Sequence, residues 1–283
     1  MAGVHGYRDL SPSLACAQFR LCRELADKHY TGVMLPNPFG RTARSLSALD
    51  LARHVSTPAG LDWLLNSLGR YVAECDVVLL PPVCGLQPDG STLAVLCREL
   101  GRPVRELLTI PPAVGGLRMR NALLQALHKA GVKLFENAVC SSAEVCGRRC
   151  LSIETTCCGR QLRHEAKAFV VATGGILGQG ISLGPGWAKE SVFGLPVSVP
   201  ANVEDLSGAD IFEEHLFSRL GVLVDAGMRP LAADGSVALE NVFFVGRTLG
   251  GYDYAAEKSG HGVAVASGWQ AGRMAAAICG QGE

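Results

Sequence analysis

The sequence predicts a mixed α/β protein of two lobes, with its chemistry gathered where short strands end. Three observations support this. Short apolar runs alternate with helix-patterned segments from Met1 to Pro112, as in a layered α/β arrangement. Glycine supplies 34 of 283 residues, beyond what turns alone need. The stretch Glu240–Gly272 (ENVFFVGRTLGGYDYAAEKSGHGVAVASGWQAG) reads as strand, glycine-rich connection and helix start.

Composition narrows the function classes. The chain is long enough for one large domain or two small ones. Apolar residues make up 48% and charged residues 18%, which excludes a disordered chain. Lys plus Arg and Asp plus Glu both number 26, with no basic stripe, so nucleic acid is not an expected partner. No apolar run reaches the ~18 residues of a spanning helix. No basic segment leads into an apolar core at the N-terminus, so the expected location is cytoplasmic. The 11 cysteines are scattered without a Cys-x-x-Cys pair. Free thiols are expected, and no metal site.

In chain order, Met1–Phe39 reads as strand, helix, strand. Leu14, Phe19, Leu21, Cys22 and Leu25 form the helix's apolar face, and Thr31–Leu35 is the second strand. Gly3–Gly6 resembles the end of a strand already under way, as if the chain began inside a longer parent. Arg44–His54 is a second helix. Thr57 or Ser56 caps a third, with Pro58 in its first turn. Strands at Asp76–Leu80 and Val104–Leu108 flank a helix at Leu93–Leu100. Ala113–Ala130 is an apolar helix lined by Leu117, Leu123, Leu124, Leu127 and Ala130, with Gly131 ending it. Val132–Phe135 is a strand, Asn137–Arg163 a β-meander, and Ala168–Ala172 a strand running into Thr173-Gly174-Gly175. Gly178–Pro200 shows no period. Ile211–Leu220 is a short helix, and the last helix runs from Val263 to about Cys279.

The glycine-rich stretch carries the clearest chemistry. A strand end exposes backbone N–H groups, and glycine lets a ligand approach them without a Cβ in the way. A helix start adds unpaired N–H groups and the positive end of a dipole. Such a place suits a phosphate or the carbonyl edge of a flavin ring. The same residues also fit a ligand-free αβ loop.

Two motifs together, Phe169-Val170-Val171-Ala172-Thr173-Gly174-Gly175 and Asn241–Val263, resemble the C-terminal signatures of glutathione-reductase-like flavoproteins. The likeness is closer to the family of B-type subunits of anaerobic glycerol-3-phosphate dehydrogenases. Leu49–Arg53, Val77–Leu86, Leu107–Leu117 with Arg118 and Asn121, Met228-Arg229-Pro230 and Asn241–Asp253 carry it in order. Pro81-Pro82, Pro111-Pro112 and Arg229-Pro230 make it specific. The family's opening Gly-x-Gly-x-x-Gly turn has no counterpart here, and Lys258 and His261 stand where the family tends to have glycine.

The resemblance implies an incomplete FAD/NAD(P)-binding, Rossmann-like flavoprotein lobe with a β-meander, beside a mixed α/β lobe. Met1–Pro112 would be the substrate or cap lobe. Ala113–Gly180 with Leu220–Glu283 would bind flavin, FMN or FAD, and Ile181–Arg219 would be an insert near the active site. Gly246 would approach the phosphate or ribityl chain. Gly250, Gly251 and Asp253 would shape the turn beneath the ring. Gly260, Gly262 and Val263 would present amides to its carbonyl edge, and Ala172, Thr173, Gly174 and Gly175 would cover the nucleotide side. Arg118 and Arg229 are candidates for a substrate phosphate, with Arg53 a weaker third, because a guanidinium fork matches its oxygens. His261 is the candidate general base. The implied reaction converts sn-glycerol 3-phosphate to dihydroxyacetone phosphate. Its implied partners are a catalytic A-type subunit, together with an iron–sulfur subunit that would hold the assembly at the inner face of the membrane. A remnant that docks on the catalytic partner without flavin is the competing reading.

Overall fold

The computed structural model describes residues 1–40, 45–110, 113–185, 187–198, 203–210 and 213–280. The chain divides after Lys133, not after Pro112, into units Met1–Lys133 and Leu134–Glu283. Arg44, Pro111, Pro112, Pro200 and Ile211, each part of an expected element or motif, lie outside the described residues.

In the first unit, β1 (Ala2–Val4) pairs in parallel with β2 (Val33–Leu35) across α1 (Pro12–Leu21). Pro12 takes the first turn of α1, where its missing N–H costs nothing. The helix buries Pro12 and Cys16, whereas Leu14 and Leu21 face solvent, so its apolar face is not the expected one. Helix α2 (Ala48–Val55) starts on a capping box: Ser47 accepts from the Asp50 amide, and Asp50 accepts from that of Ser47. Helix α3 (Pro58–Gly69) starts on Thr57, whose hydroxyl accepts from Gly60 N–H. Strand β3 (Val78–Leu80) pairs in parallel with β4 (Val104–Glu106) across α4 (Ser91–Leu100). Val4, Leu35, Leu51, Leu64, Leu80 and Val104 meet in one core.

Helix α5 (Val114–Lys129) belongs to this unit. It buries Val114, but Leu123, Leu127 and Ala130 are exposed and Leu117 and Leu124 only half-buried. Arg118 ties it to the unit: Nη2 donates to Glu106 Oε1 at 3.0 Å, Nη1 to Oε2, and Nε to Gly85 O at 2.8 Å. Gly131 follows the helix at φ 72°. Val132–Phe135 forms no strand.

The second unit opens with the expected meander of β5 (Ala138–Cys146), β6 (Arg149–Cys157) and β7 (Arg160–Glu165). Strand β8 (Phe169–Val171) then pairs in parallel with β11 (Val242–Phe244). Asn241 joins them to the meander: its Oδ1 accepts from Cys150 N–H at 2.9 Å, and its Nδ2 donates to Cys150 O and Lys167 O. Gly178–Pro200 is not structureless. It holds the antiparallel hairpin of β9 (Ile181–Gly184) and β10 (Trp187–Glu190). Of the expected helix over Ile211–Leu220, the described residues from 213 on hold a single 3₁₀ turn at Leu216–Arg219. Helix α6 (Gly260–Gly280) begins three residues before Val263 and packs Ala271, Met274 and Ile278 on Phe243 and Val245. The cysteines are all free thiols. Among the described residues, no helix is long and apolar enough to cross a membrane.

Candidate functional site

The parallel pair β8–β11 sets the site. Both strands end at glycine-rich connections: Thr173-Gly174-Gly175 after β8, and Gly246 after β11. The chain beyond β11 turns through Gly250–Ser259 and enters α6. A cleft of about 900 Å³ opens where these segments meet. Gly175 comes from the β8 end, and Gly260 and His261 from the first turn of α6. Ile176, Leu177, Leu183 and Leu206 provide apolar walls, and Phe217, Tyr252 and Tyr254 provide rings.

Among the described residues, the start of α6 is a set of uncommitted donors. The first intrahelical bond is Val263 N–H to Ser259 O at 2.9 Å. The amides of Gly260, His261 and Gly262 precede it and have no carbonyl within the helix. A Cβ built on Gly260 would meet only Tyr254 Cβ, at 3.6 Å, and one on Gly262 would meet nothing within 4 Å. Glycine at these positions leaves space on the ligand side rather than relieving a clash within the protein.

The cleft wall is basic. Arg247, Lys258 and His261 line it, and no Asp or Glu does among the described residues. Arg247 lies over the Tyr254 ring, 4.2 Å from its centroid, and donates to Leu220 O at 3.0 Å and Phe217 O at 3.3 Å. Lys258 holds a left-handed backbone, φ 54°. The glycine that the resemblance expects there would adopt that conformation more readily.

Other expected residues act on the protein itself. Gly246 N–H donates to Ser267 Oγ at 2.9 Å, and Gly174 N–H to Thr248 Oγ1 at 3.1 Å, so neither amide is available to a ligand. Gly250 is held by close backbone packing: a Cβ there would lie 2.6 Å from Gly221 O. Gly251 turns the chain at φ 84°. Asp253 is buried and accepts from Ala255 and Ala256 N–H at 3.0 Å each and from Arg219 Nε at 3.3 Å. The Ala256 amide leads the interactions that hold its pKa below the usual carboxylate value. Val263 packs partly buried against the core beneath the cleft, and Ala172 is exposed at the strand end.

Thr173 lies on a neighbouring cavity of about 590 Å³, with Cys140, Ser182 and Ser191. Its Oγ1 is buried and has no hydrogen-bond partner. Gly178 borders both cavities.

The two phosphate candidates do not join the cleft lining. Arg118 belongs to the first unit and donates to Glu106 and Gly85 O. Arg229 donates through Nε and Nη2 to Asp225 Oδ2 at 2.8 and 2.6 Å. Asp225 Oδ1 also accepts from Gly227 and Arg229 N–H. Both arginines are paired with carboxylates within their own units. Arg53 is exposed on α2. Sequence reasoning missed Arg247 and Tyr254. The signal was an arginine directly after the strand-end glycine and an aromatic seven residues on, a spacing that only the intervening turn makes meaningful.

A glycine-lined cleft at the ends of parallel strands suits a nucleotide cofactor, and residues 3–263 match the FAD binding domain family, to which the chain belongs. Within it, the chain is similar to the B-type subunit of anaerobic glycerol-3-phosphate dehydrogenase. A probable subunit of this type from Halobacterium salinarum is 32% identical over 213 residues, covering 75% of this chain and 50% of the relative. The Vibrio vulnificus protein is 28% identical over 271 residues, covering 93% and 61%. That of Yersinia enterocolitica is 25% identical over 265 residues, covering 94% and 62%. The chain thus spans about half to three-fifths of these relatives. No solved structure matches it.

The family match assigns a flavin, FAD, as cofactor. The residues present fit one. Free helix-start amides, space beside Gly260 and Gly262, aromatic walls and the orphaned Thr173 hydroxyl are what a ring with a polar carbonyl edge and a hydroxylated tail requires.

Proposed function

We propose that the chain binds its flavin in the second-unit cleft and serves as the flavin-holding part of a B-type subunit of an anaerobic glycerol-3-phosphate dehydrogenase. One observation carries this reading: Gly175 from the β8 end and Gly260 and His261 from the α6 start line one cleft. The names of the similar proteins supply the substrate class. The reaction removes two electrons and two protons from sn-glycerol 3-phosphate, leaving dihydroxyacetone phosphate. The bound flavin supplies the two-electron redox chemistry, and electrons reach quinone through partner subunits.

The chain's own residues take these roles. The amides of Gly260, His261 and Gly262 would hold the ring's carbonyl edge and stabilise negative charge there. Thr173, with Ala172, Gly174 and Gly175 shaping its loop, would hold the cofactor's nucleotide side. Gly246, Gly250, Gly251, Asp253 and Val263 hold the cleft floor. His261 accepts the C2 hydroxyl proton. Lys258 and Arg247, which line the cleft, join Arg118 and Arg229 as candidate cations for the phosphate. A catalytic A-type partner and an iron–sulfur partner complete the assembly, with this chain on the cytoplasmic side of the membrane.

A docking role without flavin is the second reading. Exposed Val265 and Trp269, one turn apart on α6, favour it: their exposures are 74% and 64%.

Flavin titration separates the two. The wild-type chain, mixed with FAD or FMN, quenches flavin fluorescence saturably. Gly260→Val weakens binding at least ten-fold with unchanged circular dichroism, because the new side chain enters the cleft. A wild-type chain that binds neither flavin leaves only the docking role.

A further inference from the structure

The 11 cysteines are all free thiols, but they differ in what can reach them. Cys84 interacts with Cys97, and Cys150 with Cys140, yet Cys84 and Cys150 are buried and closed to a reagent from solvent. Cys157 and Cys158 are different: the first is half-buried and the second exposed. They stand at the tip of the β6–β7 hairpin, where Cys157 faces Arg160 in register and Cys158-Gly159 makes the turn. Both turn residues hold positive φ, 49° and 76°, the pattern of a two-residue type I′ connection. The turn brings the two thiols together: burial, and then a hydrogen bond with the Cys158 side chain, pushes the Cys157 thiol up. Cys157 Sγ also donates to Glu136 O at 3.5 Å.

Adjacent thiols are poorly placed for a disulfide. A trans peptide fixes neighbouring Cα atoms about 3.8 Å apart, below the roughly 4.4–6.8 Å that a disulfide spans. A bridging atom between the sulfurs widens the ring and relieves that conflict. Thiolate sulfur is a soft donor and selects soft, thiophilic centres. Among the described residues no group of three or more His, Cys, Asp or Glu could hold a metal ion, so a centre that needs three or four protein ligands has no set of partners here. A centre satisfied by two sulfurs fits.

We propose that Cys157 and Cys158 form a dithiol site that captures trivalent arsenic. With an organic arsenic oxide, each sulfur forms one S–As bond, and the two thiol protons leave with the oxygen as one water. With arsenous acid, two waters leave and one hydroxyl stays on the arsenic. The arsenic remains trivalent in both cases, so no oxidant or reductant is consumed. Once the first bond forms, the second closes within the chain at high effective concentration. Cys22, Cys146 and Cys279 are exposed as well, but none has a cysteine beside it in the sequence. The site uses no residue of the flavin cleft and does not depend on that reading.

The test treats the full, reduced chain with phenylarsine oxide and reads adducts by native mass spectrometry. One adduct per chain is expected. It should persist in about 1 mM mercaptoethanol, a monothiol that cannot match the effective concentration of a neighbouring thiol, and be removed by dimercaptopropanol. Cys157→Ser and Cys158→Ser should each weaken capture by roughly ten-fold or more with unchanged circular dichroism, whereas Cys22→Ser and Cys146→Ser should leave it as it is. Fragmentation of the wild-type adduct needs no variant and should place the arsenic on Cys157 and Cys158. No adduct on the wild-type chain in the monothiol, equal capture by Cys157→Ser, or arsenic found on other cysteines overturns the proposal.

Discussion

Asp225 shows how a residue that looks like ligand chemistry serves the fold. Burial disfavours its charge, but Arg229 and the amides of Gly227 and Arg229 outweigh that and lower its pKa. They hold the turn that places Met228 at φ 67° before β11. Asp225→Asn should cost about 1–3 kcal/mol, because it weakens a hydrogen-bonded charge pair. In a unit this size that lowers Tm by roughly 2–4 °C per kcal/mol. The pH dependence has a fixed sign. A carboxyl whose pKa is depressed on folding stabilises the fold above its unfolded pKa and loses that contribution as pH falls through the folded value. The Tm gap between wild type and Asp225→Asn should be steady near neutrality and close below about pH 4. A gap that persists at low pH would mean that the carboxylate charge is not what holds the loop.

At the scale of elements, two glycines of one connection do opposite work. Gly250 lies where the chain crosses Gly221, and its N–H donates to Val222 O at 3.1 Å. Gly260 has open space on its ligand side. Gly250→Ala should therefore lower Tm, by the roughly 1–3 kcal/mol typical of overpacking, and leave flavin affinity of the folded protein unchanged. Gly260→Val should do the reverse. Calorimetry beside flavin titration reads both, and equal losses of affinity in the two variants would contradict this division. The sequence distinguishes these glycines poorly, since each is simply a glycine after a strand. It reads the local elements well where the signal is local: Thr57 as a cap, Pro58 in a first turn, Gly131 after α5 and the meander all appear in the structure. It fails where the outcome depends on distant partners. Val132–Phe135 has a strand's composition but no neighbour to pair with among the described residues, and α5 leaves Leu123 and Leu127 of its apolar face exposed. The hairpin Ile181–Glu190 was hidden because Gly184 and Pro185 obscure its alternation. The cleft residues Gly175, Gly260 and His261 were legible from their motifs; Arg247 stacked on Tyr254 was not.

At the scale of the whole molecule, the cores decide how the chain comes apart. One core draws only on residues from Ala2 to Val114, and the other two only on residues from Ala143 onward. Between them, from Ala130 to Asn137, there is neither helix nor strand, and Lys133 is exposed there. Protease reaches backbone that opens locally at little cost, and this segment has few backbone bonds to break. Limited trypsin should therefore cut first after Lys129 or Lys133 and leave two resistant pieces ending and beginning near the 133/134 boundary. Leu64→Ala sharpens the test. Leu64 is fully buried in the first core, so its truncation costs about 2–5 kcal/mol. The variant's N-terminal piece should be degraded quickly while the piece from Leu134 survives at the wild-type rate, read by mass spectrometry over time. Loss of both pieces together would mean that the two cores unfold as one cooperative unit, and a first cut inside β5–β7 would place the weakest backbone in the meander instead.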